Sequence, residues 1–146
     1  MPSVAEDLKR VPLFSGLSQR QLGQLARNFL DRRVPAGGLL TKQGEMSGVA
    51  FFVIVEGEAA VIVDGTRVAT MGPGDHFGEL AMISEGERTA TVEAVTPMRC
   101  HTIQFWHFRD FAKKNPDVTW KLLQHVAGLL LKEQSRQATR SAAEPV

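Results

Sequence analysis

Between Val34 and Asp75 the chain is broken at Pro35, Gly37, Gly38, Gly44, Gly48, Gly57, Gly65, Gly72, Pro73 and Gly74. Breaks this dense exclude a long helix, because glycine and proline both disfavour helix interiors. They suit short strands joined by tight turns. Residues 50–55 form a continuous apolar run, the pattern of a strand buried on both faces. Residues 59–63 and 67–71 flank Asp64-Gly65, a strong signal for a two-residue hairpin. Residues 89–95 are rich in β-branched types, and Met98, Cys100 and Thr102 alternate with Arg99, His101 and Ile103 after a turn at Thr96-Pro97. Short strands at this spacing predict a mainly β fold, a jelly roll or related barrel.

Helical patterns flank the strands. Residues 4–11 read as a short helix stopped by Pro12. Ser18 and Gln21 form a capping-box pair, followed by Leu22, Leu25, Ala26 and Phe29 at helical spacing. After Gln104 the helical period returns over residues 106–114, and Asn115-Pro116 supplies a cap and first residue for another helix. Val118, Leu122, Leu123, Val126, Leu129 and Leu130 make an apolar stripe on it, and the chain beyond about Thr139 reads as frayed. The 146 residues suffice for one domain with its own core. We read 1–30 as N-terminal helices, 31–104 as the barrel, 105–139 as C-terminal helices and 140–146 as a tail. A net charge of +1 advertises neither nucleic acid nor an anionic membrane. The lone Cys100 excludes an internal disulfide, and no apolar run approaches the ~18 residues of a membrane helix. With no signal-peptide pattern at the N-terminus, a cytoplasmic location is expected.

The chemistry concentrates between Phe77 and Val92, where the cassette interrupts the strands. Gly78 lets backbone approach a ligand closely. Glu79 to Ile83 can form one helical turn whose first N–H groups, at the positive end of the helix dipole, seat an anion. Nine residues after Glu79 comes Arg88, whose planar fork of donors suits a phosphate. Glu79 would repel that phosphate, so its carboxylate is better matched to sugar hydroxyls. An acid for a sugar and a base for a phosphate make a nucleotide pocket.

The run F-G-E-L-A-M-I-S-E-G-E-R-T-A-T-V resembles the phosphate-binding cassette of cyclic nucleotide-binding domains, a family that includes the catabolite activator protein, the regulatory subunits of cyclic-nucleotide-dependent kinases and cyclic-nucleotide-gated channels. The likeness extends over roughly residues 10–132. It implies a double-stranded β-helix (jelly-roll) barrel with N-terminal helices and two C-terminal helices. It also implies a ligand site of Phe77, Gly78, Glu79, Leu80, Ala81, Arg88, Thr89 and Ala90. Within it Arg88 would pair with the exocyclic oxygens of the cyclic phosphate, with the Ala81 backbone N–H as second donor. Glu79 and the Gly78 backbone would hold the ribose 2′-hydroxyl. A threonine at the position of Thr89 can bond a guanine amino group or stay neutral, so the cassette leaves the base open; cAMP is favoured over cGMP.

The expected function is that of a non-enzymatic regulatory module without a cofactor, its ligand cAMP or cGMP. Binding would move the C-terminal helices against an effector, either fused or acting in trans. The first residues read as a natural start, which favours the second arrangement. The leucine stripe offers core packing, a lid or a homodimer face. Direct nucleic-acid and membrane binding are not expected. Two alternatives stand beside this reading: a protein-interaction domain of the same fold with a non-binding pocket, and a cupin-like metalloenzyme using His76, Glu79, His101 and His107. The second lacks the paired His-x-His arrangement, and Cys100 and His101 face opposite sides of a strand.

Overall fold

The computed structural model describes residues 3–45, 50–78, 82 and 88–143. It divides into two compact units, Met1–Phe111 and Ala112–Val146. The first opens with helix α1, Val4–Lys9, capped by the Ser3 side chain, and a 3-10 turn, Pro12–Phe14, that proline starts. Helix α2, Gln19–Ala26, carries the expected capping box: Ser18 Oγ accepts from the Gln21 N–H, and Gln21 Oε1 accepts from the Ser18 N–H.

Eight strands follow: β1 Leu30–Val34, β2 Leu39–Thr41, β3 Ala50–Glu56, β4 Ala59–Val63, β5 Thr66–Met71, β6 His76–Phe77, β7 Thr91–Ala94 and β8 Met98–Gln104. They form two antiparallel four-stranded sheets, ordered β1-β8-β3-β6 and β2-β7-β4-β5. That alternation of sheets is the jelly-roll arrangement read from the sequence. The β4–β5 hairpin turns at Asp64 (φ 51°) and Gly65 (φ 79°). Positive φ at both central residues is what a type I′ turn demands, and it matches the twist of the flanking strands. The Gln43 side chain brackets this turn, donating to Asp64 Oδ1 and accepting from the Asp64 N–H, each at 2.9 Å.

The strand β3 is buried on both faces, as its apolar run requires, and so divides the core in two. Ala50, Phe52 and Ile54 point inward with Val34, Leu40, Ala59, Val92, Ala94, Met98 and Cys100. On the opposite face Phe51 meets Phe14 edge-on at 5.6 Å and Phe29 at 6.2 Å, which seats the N-terminal helical segment on the outside of the sheet. Each aromatic buried this way contributes about 2–3 kcal/mol of transfer free energy. Strand β8 runs into helix α3, Phe105–Lys114, with no intervening loop; Phe108 and Phe111 of α3 are buried.

In the second unit, helix α4 spans Pro116–Ala143. Proline stands at its first position, and the Asn115 carbonyl accepts from the Thr119 N–H at 3.0 Å, as a cap residue's should. The helix continues past Thr139 to Ala143, longer than its apolar stripe indicates. Val118 and Leu122 are buried, whereas Trp120, Leu123, Leu129, Leu130 and Leu131 are exposed. The strand expected over residues 89–95 is shorter, Thr91–Ala94, because Thr89 and Ala90 lie in a bend.

Candidate functional site

Strand β6 ends at Phe77, which stacks on Phe52 of β3 with ring centroids 4.8 Å apart and planes 12° from parallel. Gly78 follows with φ 91°, a conformation side chains rarely adopt. A Cβ here would lie 2.5 Å from the Ala50 carbonyl oxygen and 2.7 Å from Arg88 Nη1. The missing side chain is therefore the space that the arginine occupies. The Gly78 carbonyl accepts from the N–H of Met82, a buried helical residue, at 2.9 Å. Glu79, Leu80 and Ala81 lie outside the described residues.

The arginine is fixed along its whole length. Its N–H donates to the Glu45 carbonyl at 3.0 Å, and its own carbonyl accepts from the Gly44 N–H at 2.9 Å, which ties it to the loop after β2. The side chain is 6% exposed, and Nη2 donates to the Ala50 carbonyl at 2.6 Å. Its guanidinium carbon stands 5.9 Å from the Phe52 ring centroid, within the range of a cation–π contact. Burial lowers the Arg88 pKa by desolvating the charged form. A guanidinium still stays charged at any physiological pH.

Of the remaining expected site residues, Thr89 is exposed and Ala90 half-buried, with the Ala90 carbonyl accepting from Thr41 Oγ1 at 3.0 Å. The structure thus gathers Phe77, Gly78 and Arg88 around Ala50 and Phe52 at one end of the first sheet. Ala50 and Phe52 were not singled out in the sequence. Phe52 is hidden within an apolar run, and Ala50 acts through its carbonyl, which no side-chain pattern reveals. Arg32 of β1 was also missed: its guanidinium lies 5.7 Å from the same Phe52 ring.

His76 and His101 stand on the strands either side of β3, both opposite Val53, and no third ligand joins them among the described residues. His101 Nε2 lies 3.3 Å from Asp7 Oδ2 on the outer face, Cys100 faces the inner core, and His107 is exposed on α3. Among the described residues no three His, Cys, Asp or Glu groups cluster as metal ligands. Among them, too, no helix is long and apolar enough to cross a membrane.

Comparison with known proteins bears on the same segment. Residues 31–115, from β1 to the end of α3, match the profile of the cyclic nucleotide-binding domain. The chain is 35% identical over 108 residues to a cyclic nucleotide-gated potassium channel of Rhizobium etli, covering 74% of this chain and 30% of the channel. It is 38% identical over 96 residues to the cAMP-dependent protein kinase regulatory subunit of Schizosaccharomyces pombe, covering 65% of this chain and 23% of that protein. The match thus spans under a third of either relative's length. Among solved structures, the N-terminal domain of a transcriptional regulator from Streptomyces coelicolor superposes with a TM-score of 0.80 at 28% identity, over 88% of this chain and 95% of that one. The fold, the cassette and these likenesses agree: the chain belongs to the cyclic nucleotide-binding domain family.

Proposed function

We propose that this chain is a reversible 3′,5′-cyclic nucleotide sensor, binding rather than transforming its ligand, and that cAMP is preferred over cGMP. The observation that carries the reading is Arg88: a buried guanidinium in the barrel, anchored by a backbone carbonyl at 2.6 Å, in a space that only a glycine at position 78 leaves open. In this reading Arg88 takes the exocyclic phosphate oxygens, the Ala81 N–H adds a second donor, and Glu79 and the Gly78 backbone hold the 2′-hydroxyl. Phe77, Leu80, Thr89 and Ala90 complete the cassette. Support for cAMP comes from the fission-yeast relative, named for a cAMP-dependent kinase and 38% identical, against relatives named for cGMP-dependent kinases at 35% and 36%.

The output is ligand-driven repositioning of the C-terminal helices, acting on an effector fused to the module or bound in trans. The uninterrupted passage from β8 into α3 favours this coupling, since no slack loop absorbs a shift of the strand. For a switch, the ligand must prefer one position of the helices; tight binding to both would move nothing. Exposed Trp120, Leu123, Ala127 and Leu130 recur on α4 at the 3-4 spacing of a coiled-coil seam, which supports a homodimer through this helix. A cytoplasmic setting accords with the intracellular origin of such messengers.

The test is a thermal-shift titration with cAMP and cGMP. A ligand at ~100 times its dissociation constant stabilises by about 2.7 kcal/mol. We expect both nucleotides to raise the melting temperature, cAMP at lower concentration. No shift with either would overturn the reading in favour of a same-fold interaction domain.

A further inference from the structure

We propose that Thr102 and Gln104, at the end of β8, are additional ligand-contacting residues of the cyclic nucleotide site, addressing the ligand beside its phosphate. The inference rests on the cyclic-nucleotide reading and extends it to positions outside the cassette. The two residues stand two apart on one strand and so share a face. Thr102 lies directly opposite Phe52 of β3, and Gln104 directly opposite Ala50. Phe52 and Ala50 belong to the inner core, so both polar side chains are carried on the inner face. They belong to the same end of the sheet as the cassette: Ala50 is the residue whose carbonyl holds Arg88, and Phe52 is the ring beneath its guanidinium.

Thr102 is 6% exposed, and its Oγ1 and the Gln104 Oε1 are buried without a hydrogen-bond partner among the described residues. Buried polar atoms are nearly always partnered, because leaving one unpaired forfeits its hydration for nothing in return. Two such atoms on one inner face, next to a buried cation, are explained by a polar guest that brings the partners. A cyclic nucleotide's ribose and phosphate offer both donor and acceptor atoms. Thr102 Oγ1 can donate or accept, and Gln104 supplies an acceptor and an amide donor.

The test compares wild type, Thr102→Val and Gln104→Leu by calorimetric titration with cAMP and cGMP and by thermal melting without ligand. Thr102→Val keeps the side-chain shape and removes only the hydroxyl. Its ligand-free melting temperature should equal or exceed that of wild type, since no bond is lost. Its affinity should fall roughly three- to tenfold, and by the same factor for both nucleotides. Gln104→Leu should show the same loss. A lower ligand-free melting temperature for Thr102→Val would assign the hydroxyl a structural bond and overturn the proposal. Undiminished affinity in both variants would do the same, as would a loss confined to one base, which would move the contact away from the phosphate. If wild type binds neither nucleotide, the parent reading fails and takes this one with it. If wild type binds and the variants match it, only this inference fails.

Discussion

Replacing Gly78 by alanine probes the site at its narrowest point. Two independent costs follow from the structure. At φ 91° a β-carbon is strained wherever it sits, by about 1–2 kcal/mol. The added atom also lies 2.5 Å from the Ala50 carbonyl oxygen and 2.7 Å from Arg88 Nη1. The arginine tip can swing aside, but the carbonyl belongs to a strand residue paired across the sheet with Gln104. Relieving that contact requires backbone movement, at about 1–3 kcal/mol. The total is roughly 3 kcal/mol, near 10 °C in melting temperature for a chain of this size. Gly65→Ala is the internal control: φ is 79°, yet nothing lies within 4 Å of the new carbon. It should lose only the strain, about 1–2 kcal/mol, and bind nucleotide normally. Differential scanning fluorimetry gives the melting temperatures, and calorimetry at 15 °C, where both variants stay folded, gives the affinities. Gly78→Ala should lose nucleotide binding there because Arg88 is displaced. If it melts no lower than Gly65→Ala, or binds like wild type, Gly78 does not make room for Arg88 in the way described.

Arg88→Lys keeps the charge but not the planar fork, so nucleotide affinity should fall about tenfold or more, measured by calorimetry; an unchanged affinity would reduce Arg88 to a point charge. Burial pushes the Cys100 thiol up from 9.0 to about 11, so the folded chain keeps a proton that the unfolded chain releases near pH 9. Its share of stability is therefore complete below about pH 9 and is lost as pH rises through 11. Urea melts between pH 8 and 10.5 should show a flatter decline for Cys100→Val than for wild type. Leu123→Glu, on the exposed seam of α4, should convert the proposed dimer to a monomer in sedimentation velocity without changing the nucleotide titration. A wild type that is monomeric at tens of micromolar would remove the dimer from the account.

Features that depend on local backbone chemistry were legible in the sequence. Asp64-Gly65 announced its turn because few other pairs tolerate positive φ twice, and Ser18 with Gln21 announced a helix start because the bonds join neighbours in sequence. The doubly buried strand β3 was equally plain, since an unbroken apolar run has no polar side to show water. Edge strand β1 was not. Leu30, Asp31, Arg32 and Arg33 are all exposed, so no alternation marks them, and the strand exists through its pairing with β8. The cassette residues were readable as types, yet the reason for Gly78 was not: the obstructions are the Ala50 carbonyl and Arg88, distant in sequence and brought together by the sheet. Thr102 and Gln104 were invisible for the same cause. Alternation put Thr102 on the face of Met98 and Cys100, but only the register against Phe52 and Ala50 brings it and Gln104 to the end of the sheet that holds Arg88.

In the proposed sensor Arg88 grips the phosphate of a cyclic nucleotide inside the barrel. A crystal structure of the chain grown with cAMP tests it most directly. The account predicts the Arg88 guanidinium about 2.7–2.9 Å from the exocyclic phosphate oxygens, with the sugar toward Gly78. A nucleotide seated elsewhere, or a guanidinium still engaged only with protein while the ligand is bound, would contradict it.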